Sequence, residues 1–170
     1  MLTARVIPVL HVKGPSLVKG IHMEGLRVLG KPEAFARHYY EQGADELIFL
    51  DIVASLYGRN NLDEIVRRVA DQVFIPLTVG GGVRSVEDAQ RLLRSGADKV
   101  AVNTAAVRRP GLLRDLAEAV GSQAVVVYVE AEARGCSWEC LTDNARERSG
   151  QEVLEWIQEA VSLGAGEVLL

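Results

Sequence analysis

The sequence lacks the features that mark secreted and metal-binding proteins. It has only two cysteines in 170 residues, Cys136 and Cys140, so a disulfide-stabilised fold is excluded and free thiols in the cytoplasm are expected. No histidine accompanies this C-x-x-x-C pair, which is therefore an incomplete ligand set for zinc. We expect neither a metal nor a cofactor.

Long apolar runs and a basic surface are missing as well. The apolar run at 124–129 is far shorter than the roughly 20 residues of a membrane span, and the N-terminus shows no signal-peptide pattern. A total of 19 Lys and Arg against 23 Asp and Glu gives a net charge of −4, without a cluster that could neutralise a row of phosphates. We therefore expect neither a membrane nor a nucleic acid as a partner.

The chain does contain an alternation of short apolar runs and longer amphipathic segments. With 48% hydrophobic and 25% charged residues, it is expected to form one globular domain over 1–170. Runs of Val, Ile and Leu without alternating polar residues are typical of parallel strands covered by helices. Predicted strands lie at about 4–11, 46–52, 75–79, 98–103, 124–130 and 166–170. Predicted helices lie at about 32–42, 61–72, 86–95, 110–120 and 150–163.

A weak repeat supports this α/β assignment. The motif Gly-Ala-Asp at 43–45 returns at 96–98, and Gly-Ala-Gly follows at 164–166. Each copy ends a predicted helix and begins a predicted strand. Repetition of strand and helix in this way predicts a parallel sheet, either in a (β/α) barrel or in an open doubly wound fold.

Polar residues follow the predicted strands, at the face where parallel α/β folds carry their active sites. In chain order they are His11, Asp51, Gly80, Gly81, Gly82, Asn103, Thr104 and Glu130. The glycines could cradle a phosphate with help from Asn103 and Thr104, or form a tight turn. His11 and Glu130 are either an acid–base pair across a barrel or a core histidine and an unrelated carboxylate. Lys19, in the long loop after the first strand, is a candidate anion clamp or a solvated lysine.

The opposite ends of the predicted strands also carry charge. Arg5, Glu46, Lys99 and Glu167 precede or begin their strands, two of each sign. Ion pairs at this face stabilise barrels, so these residues alone indicate a structural role.

Several longer segments resemble one known family. Order and spacing match for RVIPVL, LVKG, DELIFLDI, IPLTVGGGVRS, GADKVAVNTAAV, GSQAVVV and GAGEVLL. The chain resembles the cyclase subunit of imidazole glycerol phosphate synthase, a (β/α)8 barrel of histidine biosynthesis, over the first two thirds of that family. The resemblance implies a TIM-type barrel with about six strands and five helices, lacking the last two strand–helix units.

The resemblance also implies an activity and roles for the matching positions. A glutaminase partner supplies ammonia, which passes along the barrel axis. The ammonia cleaves and cyclises a phosphoribulosyl-formimino aminoimidazole carboxamide ribonucleotide to imidazole glycerol phosphate. Implied roles are phosphate binding for Gly82, Asn103 and Thr104, a loop lysine at Lys19, an ammonia gate of Arg5, Glu46, Lys99 and Glu167, and a glutaminase interface at Asp98 and Gln123.

The chain departs from the family at both catalytic positions. The family carries an aspartate after strands 1 and 5, where this chain has His11 and Glu130. A carboxylate moved by one methylene and a histidine with a pKa of about 6.5 predict weak or absent turnover by the isolated 170-residue chain, as do the missing units. Two alternatives stay open. One is a degenerate paralogue that binds a glutaminase and conducts ammonia, and the other is a barrel fragment that associates with itself through open strand edges.

Overall fold

The computed structural model describes residues 4–21, 24–54 and 62–170, with strands in two sheets. The larger sheet contains β1 (Val9–Lys13), β2 (Ser16–Ile21), β3 (Glu24–Gly30), β4 (Leu47–Asp51), β5 (Leu77–Gly80), β6 (Lys99–Val102), β7 (Val125–Tyr128) and β11 (Glu167–Leu169). The smaller sheet contains β8 (Glu130–Arg134), β9 (Ser137–Thr142) and β10 (Glu147–Glu152).

The six predicted strands form a parallel sheet in which neighbours follow one another along the chain. β1 pairs with β4, β4 with β5, β5 with β6, β6 with β7, and β7 with β11. A doubly wound sheet would reverse its direction of growth at a switch point, whereas a (β/α) barrel adds every strand on the same side. The observed order settles the two alternatives, and the fold is α/β of the TIM type.

Helices separate these strands. In the part of the chain described, they are α1 (Pro32–Glu41), α2 (Leu62–Ala70), α3 (Val86–Arg94), α4 (Thr104–Arg108), α5 (Gly111–Val120) and α6 (Val153–Ser162). All five predicted helices are present, and among the described α-helices of this set the short α4 was not predicted. Ser85 caps α3, because its hydroxyl oxygen accepts a hydrogen bond of 3.3 Å from the backbone N–H of Asp88. None of these helices is long and apolar enough to cross a bilayer.

The predicted start of the last helix, at residue 150, is wrong. Residues 147–152 pair with β9 as strand β10, and the hydroxyl of Ser149 donates a hydrogen bond of 2.6 Å to the carbonyl of Cys140. Glu152 instead caps α6, since its carboxylate accepts hydrogen bonds from the backbone N–H groups of Leu154 and Glu155 at 2.8 and 2.9 Å. Strand pairing therefore delays the helix to Val153.

The segment between the first strand and the first helix is a hairpin, where the sequence predicted a loop. β2 pairs antiparallel with β1 on one side and with β3 on the other. Lys19 stands opposite Arg27 in this ladder and is exposed. Glycines and charged residues hide the strand pattern of this segment, because both lower β-propensity.

Alternate residues of each parallel strand enter two apolar layers. Toward the helices lie Leu47, Phe49, Val79, Val100 and Val127. On the inner face lie Ile48, Leu50, Ala101 and Val126, with Ile7, Tyr128 and Leu169 packed against them. Burial on both faces explains why the strands show no apolar–polar alternation.

The Gly-Ala-Asp repeat has a structural role at the amino ends of the strands. The Asp45 carboxylate accepts a hydrogen bond of 2.7 Å from the backbone N–H of Val6, and Asp98 accepts one of 2.8 Å from Leu77. In the third copy a Cβ on Gly166 would lie 2.3 Å from the carbonyl oxygen of Ser122, so no side chain fits there. The repeated aspartate therefore fixes the start of the adjacent strand.

Candidate active site at the carboxyl ends of the strands

A cavity of about 260 Å³ opens at the carboxyl ends of β4 to β7. Its wall consists of the strand ends, the glycine loop after β5, the start of α4 and the turn between β9 and β10. Among its lining residues are the predicted Asp51, Gly81, Gly82, Asn103, Thr104 and Glu130. The structure thus gathers most of the predicted site at one edge of the sheet, and leaves out Gly80, His11 and Lys19.

The glycine loop has no room for larger residues. Gly81 and Gly82 have φ angles of +99° and +74°, in the region that other residues rarely adopt. A Cβ on Gly81 would lie 2.4 Å from the carbonyl oxygen of Asp51, and one on Gly80 would lie 2.7 Å from the Leu50 side chain. The loop therefore lines the cavity with backbone, packed directly against β4.

Asp51 lies on the same wall, at the end of β4. Its carboxylate accepts a hydrogen bond of 2.9 Å from the backbone N–H of Val53. Burial raises the pKa of Asp51, and this hydrogen bond together with one from Ala54 offsets only part of that rise. The cavity consequently holds a carboxyl group that binds its proton more tightly than a solvated aspartate does.

Glu130 occupies the opposite wall, where β7 passes into β8. Its carboxyl is buried and accepts three hydrogen bonds, from Asn103 Nδ2 at 2.9 Å, from the Tyr128 hydroxyl at 3.1 Å and from the backbone N–H of Ala145 at 3.0 Å. Burial raises the pKa of Glu130, and the nearby charge of Asp143 adds to the rise, whereas the three hydrogen bonds oppose it. A buried carboxyl whose pKa is raised holds its proton more readily than a solvated glutamate, which suits it to general acid–base chemistry.

Asn103 and Thr104 hold the β9–β10 turn as well as lining the cavity. Both hydrogens of Asn103 Nδ2 are used, one by Glu130 and one by the carbonyl of Leu141 at 3.2 Å. Thr104 Oγ1 accepts a hydrogen bond of 2.9 Å from the backbone N–H of Asp143, which leaves its hydroxyl hydrogen available. Of these two side chains, Thr104 is the one that keeps a donor hydrogen unused by the described hydrogen bonds.

His11 does not join this group. It lies in β1 opposite Leu50 of β4, and it is absent from the described lining of the cavity. Burial lowers the pKa of His11, so its imidazole is neutral at physiological pH. Among the hydrogen bonds that the structure describes, none joins His11 to Glu130, and their pairing as acid and base across the barrel stays a prediction.

Several lining residues have no counterpart in the sequence predictions. Tyr128 points into the cavity two residues before Glu130, and strand alternation was the signal that could have found it. Arginines line the mouth, and Asn144 reaches it from the β9–β10 turn. No local pattern marks these positions, because the tertiary fold alone brings them to the cavity. The arginines are Arg84, Arg108 and Arg109.

The cysteines lie away from the cavity. Cys136 is exposed and Cys140 is buried, and neither is in a disulfide. Burial raises the pKa of Cys140 to about 11. Across residues 4–21, 24–54 and 62–170, no group of three or more His, Cys, Asp or Glu side chains is placed to hold a metal ion.

The four charged residues at the amino ends of the strands form one ion cluster. Arg5 pairs with Glu46 and lies 3.8 Å from Glu167, while Lys99 Nζ lies 3.1 Å from Glu46 and 2.6 Å from Glu167. Burial acts to lower the pKa of Lys99, but hydrogen bonds and charges from Glu167 and Glu46 outweigh it, so the pKa is raised. The inner apolar layer separates this cluster from the cavity.

Comparison with known proteins decides the family. The family model described as "Histidine biosynthesis protein" matches residues 5–170. Imidazole glycerol phosphate synthase subunit HisF of Legionella pneumophila is 57% identical over the whole chain, which covers 81% of that relative. The chain belongs to the HisF family. HisF of Streptococcus sanguinis is 55% identical and that of Myxococcus xanthus 51% identical, with 68% and 67% of their lengths covered.

This HisF-family chain exposes further polar and apolar residues beside its ion cluster. Asp98 directly precedes β6, and Gln123 lies close to the start of β7. Both residues are exposed. Val6 and Phe74 are also exposed, at 66% and 77%. The amino-end face therefore combines charge with two exposed apolar side chains.

Proposed function

We propose that this chain is a cyclase subunit of imidazole glycerol phosphate synthase in histidine biosynthesis. The reaction is ammonia-dependent cleavage and cyclisation of phosphoribulosyl-formimino aminoimidazole carboxamide ribonucleotide to imidazole glycerol phosphate. The buried Glu130 in the cavity carries this proposal, since the chemistry needs a group that exchanges protons in a water-poor site. A biosynthetic role with free thiols also fits the cytoplasm.

The cavity offers a site for one phosphate group of the substrate. Gly81 and Gly82 line it with backbone, and the hydroxyl of Thr104 has a hydrogen to donate. Arg84 and Arg109 stand at the same wall and supply positive charge. In this arrangement the phosphate is held beside the glycine loop, and the reacting part of the substrate extends toward Glu130.

At the other end of the barrel, we infer that a glutaminase subunit binds the amino-end face. The ion cluster of Arg5, Glu46, Lys99 and Glu167 lies at this face. Exposed Phe74 supplies an apolar anchor of the kind that dominates binding energy at interfaces. Asp98 accepts a hydrogen bond from the backbone N–H of Leu77, and its side chain remains exposed, so a partner can contact it.

A second candidate function rests on His11. The imidazole lies outside the described lining of the cavity, and the structure joins it to Glu130 by no hydrogen bond among the residues described. A chain that keeps the ion cluster but lacks a working acid–base pair would bind a glutaminase and conduct ammonia without cyclase chemistry. This candidate predicts stimulation of glutamine hydrolysis in the absence of product formation.

Turnover with ammonium ions in place of a glutaminase tests the first proposal. We expect slow but measurable product formation, because one of the two family acids is replaced by His11 and the other is lengthened in Glu130. Glu130→Gln should lower kcat at least about 100-fold, the usual scale of a lost general acid or base. Glu132→Gln, on the exposed part of the same hairpin, is the matched control and should keep full activity.

The outcomes separate the two candidates. Ammonia-dependent product that disappears in Glu130→Gln supports the cyclase. Absence of product from every variant, together with faster glutamine hydrolysis by an added glutaminase subunit, would exclude the cyclase and support the ammonia-conducting paralogue. Equal turnover by Glu130→Gln and Glu132→Gln would remove Glu130 from the mechanism.

We also infer that the larger sheet extends beyond this chain's own strands when the protein functions. β11 pairs with β7 on one side, and no described strand covers its other side. Val168 in β11 is 36% exposed. Unpaired backbone at a strand edge favours pairing with a further strand, whether from a second copy or from additional strand–helix units of the same domain.

A further inference from the structure

Tyr128 lies in the cavity beside Glu130, and the proposed reaction has not yet used it. We propose that Tyr128 is a positioning residue that holds one oxygen of the Glu130 carboxyl in place and thereby controls how that carboxyl exchanges its proton. This inference rests on the proposed function for its effect on turnover, but the Tyr128–Glu130 interaction can be measured without any activity.

The two oxygens of Glu130 have different partners. Oε2 accepts from Asn103 Nδ2 at 2.9 Å and from the backbone N–H of Ala145 at 3.0 Å. Oε1 accepts only from the Tyr128 hydroxyl, at 3.1 Å, among the hydrogen bonds described for this carboxyl. Two fixed donors prevent Oε2 from taking a proton, so protonation falls on Oε1 and the carboxyl exchanges its proton beside the Tyr128 hydroxyl.

Strand geometry makes this contact rigid. Tyr128 is the last residue of β7 and Glu130 the first of β8, so the two side chains stand on the same face of a continuous extended segment. Tyr128 packs against the inner apolar layer and pairs in register with Leu169 of β11. Its ring therefore lies against the inner apolar layer, with the hydroxyl directed at Oε1.

The charges around this pair come from every neighbouring element. Asp143 faces Glu130 from the β9–β10 turn, where it pairs with Arg108. Asp51, Arg84 and Arg109 line the same cavity from β4, from the loop before α3 and from the segment after α4. Those groups act across the cavity. Of the titratable groups in the described residues, Tyr128 is the one that hydrogen-bonds to the Glu130 carboxyl.

Removal of the Tyr128 hydroxyl should change the pKa of Glu130 in one direction. The Tyr128 hydrogen bond stabilises the carboxylate form and so opposes the rise that burial causes in the pKa of Glu130. Tyr128→Phe should therefore raise the pKa of Glu130 by about one to two pH units, the scale of a hydrogen bond to a charged group. In the pH profile of kcat/KM, the midpoint of the acid limb should move to higher pH by the same amount. The value of kcat should fall about tenfold, and KM should stay almost unchanged.

Carbon NMR of the full chain tests the interaction directly. Side-chain carboxyl signals of 13C-labelled glutamate are followed between acid and neutral pH, and Glu130→Gln assigns the Glu130 signal. We expect a higher midpoint in Tyr128→Phe and an unchanged one in Tyr39→Phe, a matched loss of a hydroxyl in α1. An unchanged Glu130 midpoint in Tyr128→Phe would overturn the proposal, even if the parent protein turns over substrate.

A second readout keeps the test valid if Tyr128→Phe does not fold. The Cζ signal of labelled Tyr128 in the parent should shift with the Glu130 midpoint, and that shift should vanish in Glu130→Gln. A Tyr128 signal that ignores Glu130 would contradict the proposal. A positive NMR result with no turnover in any variant would reject the proposed cyclase function and retain the Tyr128–Glu130 interaction.

Discussion

Single side chains in this protein serve the cavity and the fold at once. Glu130 lines the cavity and also accepts the backbone N–H of Ala145, which anchors the β9–β10 turn. Asn103 likewise joins Glu130 to the carbonyl of Leu141 in β9. A substitution at either residue therefore changes both local stability and site chemistry, and the two effects need separate measurements.

Gly81→Ala should destabilise the fold strongly. A Cβ at this position would lie 2.4 Å from the Asp51 carbonyl oxygen, and the φ of +99° is unfavourable for alanine. Strain and overpacking together predict a loss of about 3 kcal/mol in the free energy of unfolding. Urea titration followed by circular dichroism measures this difference.

The matched control is Gly111→Ala. Gly111 begins helix α5, and a Cβ added there would meet nothing within 4 Å, so alanine fits and adds helix propensity. Its free energy of unfolding should rise by about 0.5 to 1 kcal/mol. If Gly81→Ala were as stable as Gly111→Ala, the close approach of the glycine loop to β4 would be refuted.

At the scale of elements, the turn between β9 and β10 is the most strained part of the described backbone. Asp143, Asn144 and Ala145 have successive φ angles of +52°, +61° and +59°. Aspartate and asparagine tolerate this left-handed region, whereas alanine does so at a cost of about 1 to 2 kcal/mol. Hydrogen bonds to Thr104 and Glu130 hold the turn despite that cost.

Ala145→Gly should therefore stabilise the protein. Relief of the left-handed strain outweighs the added flexibility of glycine in the unfolded chain, and a gain of about 1 kcal/mol is expected. Ala119→Gly in α5 is the control with the opposite sign, since glycine within a helix costs about 1 kcal/mol. Thermal and urea unfolding of both variants check the pair, and destabilisation in both would contradict the strain argument.

The sequence predicted the elements that repeat a regular period and failed where contacts are long-range. The apolar runs around β4 and β7 have a local cause, so their positions were predicted correctly. The predicted start of α6 was wrong because pairing between β9 and β10 keeps residues 147–152 in a strand. The same holds for the cavity lining. Asp51 and Glu130 could be predicted because they follow strands, whereas no local sequence signal predicts Arg84, Arg109 or Asn144.

At the scale of the whole molecule, the strand order leaves two edges. The larger sheet runs from β11 at one end to β3 at the other, and β3 belongs to a hairpin rather than to the parallel series. A barrel of this type closes only when parallel strands meet around the axis. Among the described strands, β11 pairs with β7 alone, which leaves its other side without a partner strand in the described residues.

Sedimentation of the 170-residue chain tests how that edge is covered. We expect a discrete dimer or larger oligomer, since pairing of exposed strand edges lowers their cost in water. A lysine at Val168, in the variant Val168→Lys, should weaken this association, and Leu154→Lys on the exposed face of α6 serves as its control. A monomer with a sharp unfolding transition would contradict self-association.

The hydrogen bonds around the β9–β10 turn occupy polar groups that a ligand in the cavity would also use. Asn103 spends both amide hydrogens, and Glu130 spends both oxygens, on internal partners. A ligand that takes those groups must exchange with the turn, so its affinity is the difference between two sets of contacts. Ligand binding in the cavity and the conformation of the turn are then thermodynamically coupled.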